Sequence, residues 1–514
     1  MRKVRIEMKT IAMYLPQFHR VKENDMWWGE GFTDWVSTKK ANPLFENHYQ
    51  PHIPLNDNYY DLLSTEVLKW QADLMKQYNI DGVCMYHYWF KDGRRILEKP
   101  AELLLCSKSI DMSFCFCWAN ETWARSWANV QINMGKNVWS NVEEPQKDLD
   151  NVSNRGILLE QIYGDREQWA EHFYYLLPFF KDDRYIYKDN KPVLLIYNTD
   201  SVHCLEDMLQ LWDELARANG LQGVYIIGGF NEKNKKCIDA NYIPAPWCAL
   251  ESLGAYTHNG ICRLQYEDVW EKCLQVQVER DNVIYGSFPG YDDSPRRGKE
   301  GIVIEGANPT KFQYYLAHTM AKNAVANQDI TFINAWNEWG EGMHLEPDEK
   351  YGYGFLEAVQ NAKKEYFVYI DEYVKKFSVK TEQKKQSEKK FEQYANLMDY
   401  WMTLRENGIS LETYFVQNGY FKVAIYGCGI LGRHLIKELQ ESRINIAYLI
   451  DRSAEHVHQE IEVYTPSQML PECDAIVITP FCDIEEIRKV LPKSMKMISI
   501  ETVIRETTVD ERKR

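Results

Sequence analysis

Short apolar runs alternate with longer stretches whose apolar residues recur every three or four positions, and this alternation fills about the first 350 residues. The runs Thr10–Leu15, Gly82–Tyr86, Ser113–Trp118, Pro192–Tyr197, Val224–Gly228, Trp247–Leu250, Val283–Phe288 and Thr331–Trp336 read as buried strands. Nearly continuous apolar character over four to eight positions is what a parallel sheet covered on both faces requires. Between them, Tyr60–Tyr78 carries Leu63, Val67, Trp70 and Leu74 at helical spacing. Stretches Asp165–Phe180, Leu205–Asn219, Tyr266–Arg280 and Pro309–Ala326 also read as helices. Eight strands alternating with helices predict a (β/α)8 barrel of the TIM type over residues 1–375, with a last helix from Gly354. A doubly wound sheet would gather its polar groups at one switch point. Here they recur past strand after strand, at Tyr14, Gln17, His19, His87, Tyr88, Asn120, Glu121, Asn198, Asp292, Asn337, Glu338 and Glu341.

The pattern changes after the barrel. Residues 375–390 are rich in Lys, Glu and Gln, as in a solvated linker or exposed helix. Phe391, Tyr394, Met398, Trp401 and Leu404 then follow at helical spacing, so 376–414 reads as a charged linker plus a docking helix. Residues 415–514 form a second α/β unit: strand Lys422–Tyr426, helix Arg433–Gln440, and strands Ile446–Ile450, Ala475–Thr479 and Met497–Ile500. Gly427, Gly429 and Gly432 stand between its first strand and helix, and Asp451 ends the next strand about 20 residues on, as in dinucleotide-binding folds. These four residues are candidates for holding a nucleotide or nucleotide-sugar in a small Rossmann-like domain. Glycines that only permit close strand–helix packing are the competing explanation, and no partner for hydride transfer is visible.

Composition narrows the partners. Among 514 residues, 13% are aromatic, with 16 Trp and 33 Tyr, which suits a carbohydrate-binding cleft as well as a large core. The net charge of −15 argues against nucleic acid or an anionic membrane as main partner. No run of about 18 apolar residues is present, so no membrane span is expected. The opening MRKVRIEMKT lacks a following apolar segment before Pro16, so a cytoplasmic location is expected. The 12 cysteines show no CxxC or zinc-type spacing, as expected of reduced thiols.

The candidate chemistry centres on TFINAWNEWGEGMHLEP, residues 331–347. Glu338 and Glu341, three residues apart and flanked by Trp336 and Trp339, suit acid/base work on a sugar. Indole faces stack on pyranose C–H faces, and a desolvated carboxyl can hold a proton at neutral pH. The competing reading is a glycine-rich turn with solvated acids. Trp28, Trp89, Trp118, Trp123, Trp336 and Trp339 are the candidate sugar platforms. Tyr14, Gln17, His19, His87, Tyr88, Asn120, Glu121, Asn337 and Asp292 are the candidate substrate contacts, with Arg296 and Arg297 close behind Asp292. No His, Asp and Glu set has metal-ligand spacing, so no metal is expected. The Asp148–Asp150 pair lies away from any strand end, which speaks against a nucleotide-sugar donor in the barrel.

Five stretches occur in a telling order: YLPQFH at 14–19, WWGEGFTDW at 27–35, YHYWF at 86–90, WANETW at 118–123 and WNEWGEG at 336–342. On these, residues 10–360 resemble the WbsX-type glycosyltransferases, bacterial proteins of O-antigen and capsule polysaccharide clusters described as having a glycoside hydrolase family 99-like domain. The C-terminal unit is separately similar to small Rossmann-like domains of other surface-polysaccharide enzymes. The resemblance implies glycosyl transfer or endo-glycosidase-type hydrolysis on a glycan or lipid-linked oligosaccharide, beside other polysaccharide-assembly proteins, with no cofactor required by the barrel. Likeness to family 99 proper rests mainly on NEWxEG. In its endo-acting α-mannosidases and α-mannanases, two glutamates so spaced perform retaining hydrolysis without a protein nucleophile. Carried over, Glu338 would be the base toward the sugar 2-hydroxyl, forming a 1,2-anhydro sugar, and Glu341 the acid/base. The alternative from another class is a non-catalytic glycan-binding or scaffold protein of the same pathway.

Overall fold

The computed structural model describes residues 7–124, 157–229, 236–256, 260–277, 282–454 and 461–507. The chain divides into two compact units, Met1–Lys375 and Lys376–Arg514. Eight strands form the first: β1 (Lys9–Tyr14), β2 (Gly82–Trp89), β3 (Phe114–Trp118), β4 (Lys191–Ile196), β5 (Tyr225–Gly228), β6 (Ala240–Ile243), β7 (Val283–Tyr285) and β8 (Ile330–Ile333). Each pairs in parallel with its sequence neighbour from β1 to β7, and β8 pairs with β1. A parallel bridge between Ser287 and Ile333 closes the ring, with the Ser287 N–H donating to Phe332 O at 3.0 Å. The unit is therefore a (β/α)8 barrel.

The strands read as unbroken apolar runs because both of their faces are covered. Ile11, Cys84, Cys115, Leu194, Ile227, Ile284 and Phe332 are all fully buried. Several surrounding helices begin at side-chain caps: Ser64 accepts the Val67 N–H ahead of Thr65–Gln77, and Asp165 accepts from Glu167 and Gln168 ahead of Arg166–Phe180. Asn308 accepts the Lys311 N–H at the start of Pro309–Val325, where proline occupies the first helical position.

One strand differs from expectation. Trp247–Leu250 is a short helix, and the sixth strand is Ala240–Ile243. An apolar run of four residues does not distinguish strand from buried helix, and Pro246 just before it favours a helix start. The real strand was masked by Asn241, which is polar yet buried, its N–H donating to Asn282 O at 3.0 Å. The last strand, β8, stops at Ile333, short of Trp336. Asn337–Glu338 instead pairs antiparallel with Met343–His344, forming a tight hairpin over the turn Trp339–Glu341.

In the second unit a parallel sheet runs in the order β11 (Val463–Tyr464), β10 (Asn445–Ile450), β9 (Lys422–Tyr426), β12 (Ala475–Ile478) and β13 (Met497–Ser499). Residues 375–390 lie within one helix, Ile370–Glu406. Leu397, Trp401 and Leu404 of that helix are buried in this unit's core, and the Trp401 indole donates to Glu438 at 2.8 Å. Phe391, first of the expected stripe, is exposed.

Candidate active site

The hairpin after β8, the helix Asp34–Lys40 beyond β1 and the helix Ser294–Arg297 beyond β7 meet at one buried guanidinium. Arg296 Nη2 donates to Glu338 Oε2 at 2.9 Å and to Asp34 Oδ1 at 3.1 Å, while Nη1 donates to Glu341. One cation thus faces three carboxyl groups in a water-poor place. Burial pushes the Glu338 carboxyl up to about 8; Arg296 opposes that shift, while Glu341 and Asp34 add to it. The Glu341 carboxyl is also raised, by burial first, against the pull of Arg296 and with help from Asp293 and Asp34. Both carboxyls are therefore held toward the protonated form.

Gly340 makes this close approach possible. A Cβ there would stand 2.7 Å from Arg296 Nε and 2.9 Å from Asp34 Oδ2, so only glycine fits between the two glutamates. The Gly340 N–H donates to Asp34 Oδ2 at 3.2 Å, which ties the turn to the β1 side, and the Asp34 N–H donates to Gln17 O at 3.0 Å.

Behind the turn lies a further buried carboxyl group, Glu346. Its Oε1 accepts from Gln71 at 2.7 Å and Trp336 at 2.8 Å, and its Oε2 accepts from Tyr60 and Trp339, both at 2.8 Å. Burial raises this carboxyl to about 7 against the pull of those four donors. Trp336 and Trp339 are 0% and 1% exposed, so these two candidate platforms are corrected to the wall that holds the turn. Asn337 exchanges two hydrogen bonds with the Leu15 backbone, at 2.8 and 3.0 Å, and Tyr14 donates to Gln71 at 2.8 Å. Both support the hairpin from below.

Of the remaining candidates, Tyr88 faces the pair: burial raises its phenol, and the Glu338 charge adds to this. Tyr86 responds in the same way, and the Tyr197 phenol is raised by burial, then by Glu121 and Glu341. Glu121 is thereby in electrostatic reach of the site, and Tyr86 and Tyr197, half-buried and edge to face at 6.5 Å, flank it. Trp123 packs on Tyr88 at 5.2 Å, and Trp28 on Phe32 at 6.1 Å.

Others are held elsewhere. His87 Nε2 lies 2.9 Å from His172 Nε2, in a buried cluster where Trp89 stacks on His172 and Trp118 donates to Trp89 O at 3.3 Å. His87, Trp89 and Trp118 therefore belong to core packing, a correction to their expected contact with sugar. His19, buried, donates to Pro16 O at 2.9 Å. Asn120 bonds the Asn198 backbone at both ends of its amide, at 2.7 and 2.8 Å, which fixes one loop to another. Asp292 forms a separate centre with His48 and Gln50, both at 2.7 Å. Burial works against the Asp292 charge, but hydrogen bonds from His48, Ser294 and Gln50 outweigh it and hold the carboxyl below its usual range. A cavity of about 170 Å³ opens beside it, lined in part by His48, His52, His344, Asp348 and Tyr351.

Asp34, Glu346, Gln71, Tyr60 and His48 were not singled out in the sequence, and Arg296 was noted only as a neighbour of Asp292. Asp34 sits inside WWGEGFTDW, where an acid next to an aromatic is the one available signal, and Glu30 in the same stretch shares much of it. The expectation of no metal rested on spacing along the chain. Among the described residues, His52, His344 and Asp348 nonetheless converge. Asp148 and Asp150 lie outside the described residues.

In the second unit, Asp451 Oδ2 accepts the Cys428 N–H at 2.9 Å and Oδ1 the Ser453 N–H at 3.0 Å. A Cβ on Gly432 would stand 2.0 Å from Gly427 O, so the third glycine serves strand–helix packing. Gly429 faces open space at the start of helix Ile430–Gln440.

A buried carboxyl pair at the C-terminal mouth of a (β/α)8 barrel is the arrangement of an enzyme site built from strand-end loops. The chain belongs to the family described as glycosyltransferase WbsX, whose model matches residues 10–359. Membership places it among carbohydrate-active proteins. It is 32% identical over 375 residues to an uncharacterized protein WxcX of Xanthomonas campestris pv. campestris, covering 68% of this chain and 49% of that protein. The chain thus spans about half the length of the curated relatives it matches. Among solved structures it is similar to a glycoside hydrolase family 99 endo-α-mannosidase from Bacteroides thetaiotaomicron, with 16% identity and a TM-score of 0.39 over 72% of this chain and 98% of that one. A glycoside hydrolase-like protein gives 12% identity and a TM-score of 0.41, over 70% and 95% of the two chains. Among the described residues no helix is long and apolar enough to cross a membrane.

Proposed function

We propose that the barrel makes or breaks a glycosidic bond in a glycan or lipid-linked oligosaccharide during bacterial surface-polysaccharide assembly, with Glu338 and Glu341 as its catalytic residues. The observation that carries this reading is the pair itself: two buried carboxyls held by one guanidinium, both pushed up by burial, Glu338 to about 8. Glycosidic chemistry by two carboxyl groups needs one protonated and one ionised partner. Glu341 is the more exposed, with 17% of its side chain accessible against 9% for Glu338. It is the better placed to protonate a departing oxygen and later activate water. Glu338, the deeper of the two, is the proposed base toward the 2-hydroxyl, and the reactive form is the one in which Glu338 is ionised and Glu341 carries the proton.

The deciding assay supplies candidate oligosaccharides to the wild type and to Glu338→Gln/Glu341→Gln, following binding and product together. Turnover by the wild type alone, with glycan binding by both, supports the enzyme. Equal binding with no turnover by either makes the protein a glycan-holding scaffold instead.

A pH dependence follows from the raised carboxyls. Above about 8 the pair loses its last proton, so kcat/KM is expected to fall on an alkaline limb near that value. Stability carries the same sign. Glu338 binds its proton up to about 8 when folded but releases it near about 4.3 when unfolded, so its stabilising contribution is complete below the lower value and lost as pH rises through the upper. Melting temperature should therefore decline from pH 5 to 8.5 more steeply in the wild type than in Glu338→Gln. Parallel profiles would show that Glu338 does not hold that proton.

For the second unit we propose a nucleotide or nucleotide-sugar bound without reaction at the loop before helix Ile430–Gln440. Open space at Gly429 supports this, since backbone N–H groups at a helix start suit phosphate. Asp451 already accepts the Cys428 and Ser453 amides, which leaves it a smaller part than the motif suggested. Calorimetry with UDP-, GDP- and dTDP-sugars and NAD is expected to give heat that Gly429→Val removes. No heat from any of them would leave packing as the reason for the glycines.

A further inference from the structure

The loop around His52 and the strand end after the catalytic turn bring three metal-ligand types to one point. His52 Nδ1 stands 3.0 Å from His344 Nε2, and Asp348 Oδ2 stands 3.8 Å from the same His344 nitrogen. All three ligand atoms lie within 4.8 Å of one another, on the wall of the cavity beside Asp292. We propose that His52, His344 and Asp348 bind a divalent first-row transition metal, with zinc the best suited.

The spacing fits. Zinc–nitrogen bonds of about 2.0–2.1 Å at tetrahedral angles place two nitrogens of one ion about 3.3–3.4 Å apart, so the imidazoles need to part by only about 0.3–0.4 Å. The carboxylate closes its longer gap by a side-chain rotation that brings Oδ2 to a zinc–oxygen length of about 2.0–2.2 Å. The surroundings also orient each ligand. His344 Nδ1–H donates to Glu346 O at 3.1 Å, which fixes the tautomer and turns the Nε2 lone pair toward His52 and Asp348. Its ring is stacked on Trp339 at 3.7 Å, with 12° between the planes. Asp348 Oδ1 accepts the Tyr351 N–H at 2.6 Å, leaving Oδ2 turned to His344. Such outer hydrogen bonds are what hold metal ligands in register.

The two segments are also stitched together by backbone. Leu55 N–H donates to Pro347 O and Glu349 N–H to Ile53 O, both at 2.9 Å. A neutral hydrogen bond from His52 to His344 would account for the two nitrogens alone. It gives no reason for a carboxylate to converge on the same lone pair. Two histidines and one carboxylate leave further positions open on the ion, and the cavity of about 170 Å³ has room for water there. The ion would join the loop whose His48 and Gln50 hold Asp292 to the strand that leaves Gly342, and so act as a positioning group. This inference does not depend on the glycosidic chemistry proposed above.

The test uses the full chain, freed of metal with a chelator, and titrated calorimetrically with Zn²⁺ and spectroscopically with Co²⁺. One equivalent is expected, with Co²⁺ absorption bands of nitrogen and oxygen ligation and no thiolate charge-transfer band. His52→Ala should weaken binding at least about 100-fold. Asp348→Asn keeps the acceptor for the Tyr351 amide while removing the charge, and should weaken binding about tenfold or more. Both variants should keep the metal-free melting temperature of the wild type within a few degrees, so that a folding defect is separable from ligand loss. No stoichiometric binding by the wild type would overturn the site. So would unchanged affinity in both variants, or a thiolate spectrum, which would assign the metal to cysteines.

Discussion

Glu341→Gln is expected to lower turnover by about 10³-fold or more while leaving glycan affinity within about tenfold, because the amide cannot carry the proton yet keeps the shape and the acceptor that Arg296 uses. Glu338→Gln should be as inactive for a different reason, since an amide cannot take a proton from a sugar hydroxyl. The two are separable with an activated leaving group that departs without protonation: it should restore much of the first step in Glu341→Gln and none in Glu338→Gln. Normal turnover by Glu341→Gln on an unactivated glycoside would remove its acid role. The 2-hydroxyl route adds its own condition, that a 2-deoxy or 2-fluoro substrate fails with the wild type because no anhydro sugar can form. Efficient cleavage of the 2-deoxy substrate, or an inverted product, would overturn the carry-over from family 99 and leave a two-carboxylate site of another kind.

The barrel was legible because its strands are buried on both faces and so announce themselves as apolar runs. Legibility failed where one residue broke that rule. Asn241 is buried through backbone pairing in the sixth strand, and its polarity passed the assignment to the apolar run after Pro246. The site divided along the same line. Glu338 and Glu341 are proposed from local chemistry, two acids among glycines and tryptophans, which is a property of adjacent positions. Their partners Asp34 and Arg296 come from loops after other strands, and no local pattern marks which of many charged loop residues will meet across a barrel mouth. The tryptophans mislead for a related reason. An indole beside a catalytic turn is either a platform for sugar or part of the wall, and composition does not separate the two. Here the N–H groups of Trp336 and Trp339 are directed inward to Glu346, so the aromatic density around the turn serves first to rigidify it. The metal-ligand triad was hidden because His52 is 292 residues from His344.

Arg296 carries the second large effect. It is 2% exposed and is the cation shared by Asp34, Glu338 and Glu341, so Arg296→Met should destabilise the barrel by about 3–5 kcal/mol, the usual consequence of breaking a buried ion cluster from one side. Arg296→Lys retains the charge without the planar fork that serves carboxylates on two sides, and should fall between. A structural role alone would end there. The raised carboxyls add a readout, because Arg296 opposes the rise of both glutamates. Without a cation there their carboxyls should rise further, moving the alkaline limb of kcat/KM in folded Arg296→Met above about 8, whereas Arg296→Lys keeps the charge and should move it less. Adding Asp34→Asn to Arg296→Met removes one of the stranded charges and should recover part of the lost stability. Chemical denaturation of the three variants, with pH profiles for those that fold, measures both effects. Unchanged stability in Arg296→Met would show that the carboxyls do not depend on this guanidinium. An alkaline limb that stays in place would separate Arg296 from the proton affinity of the pair.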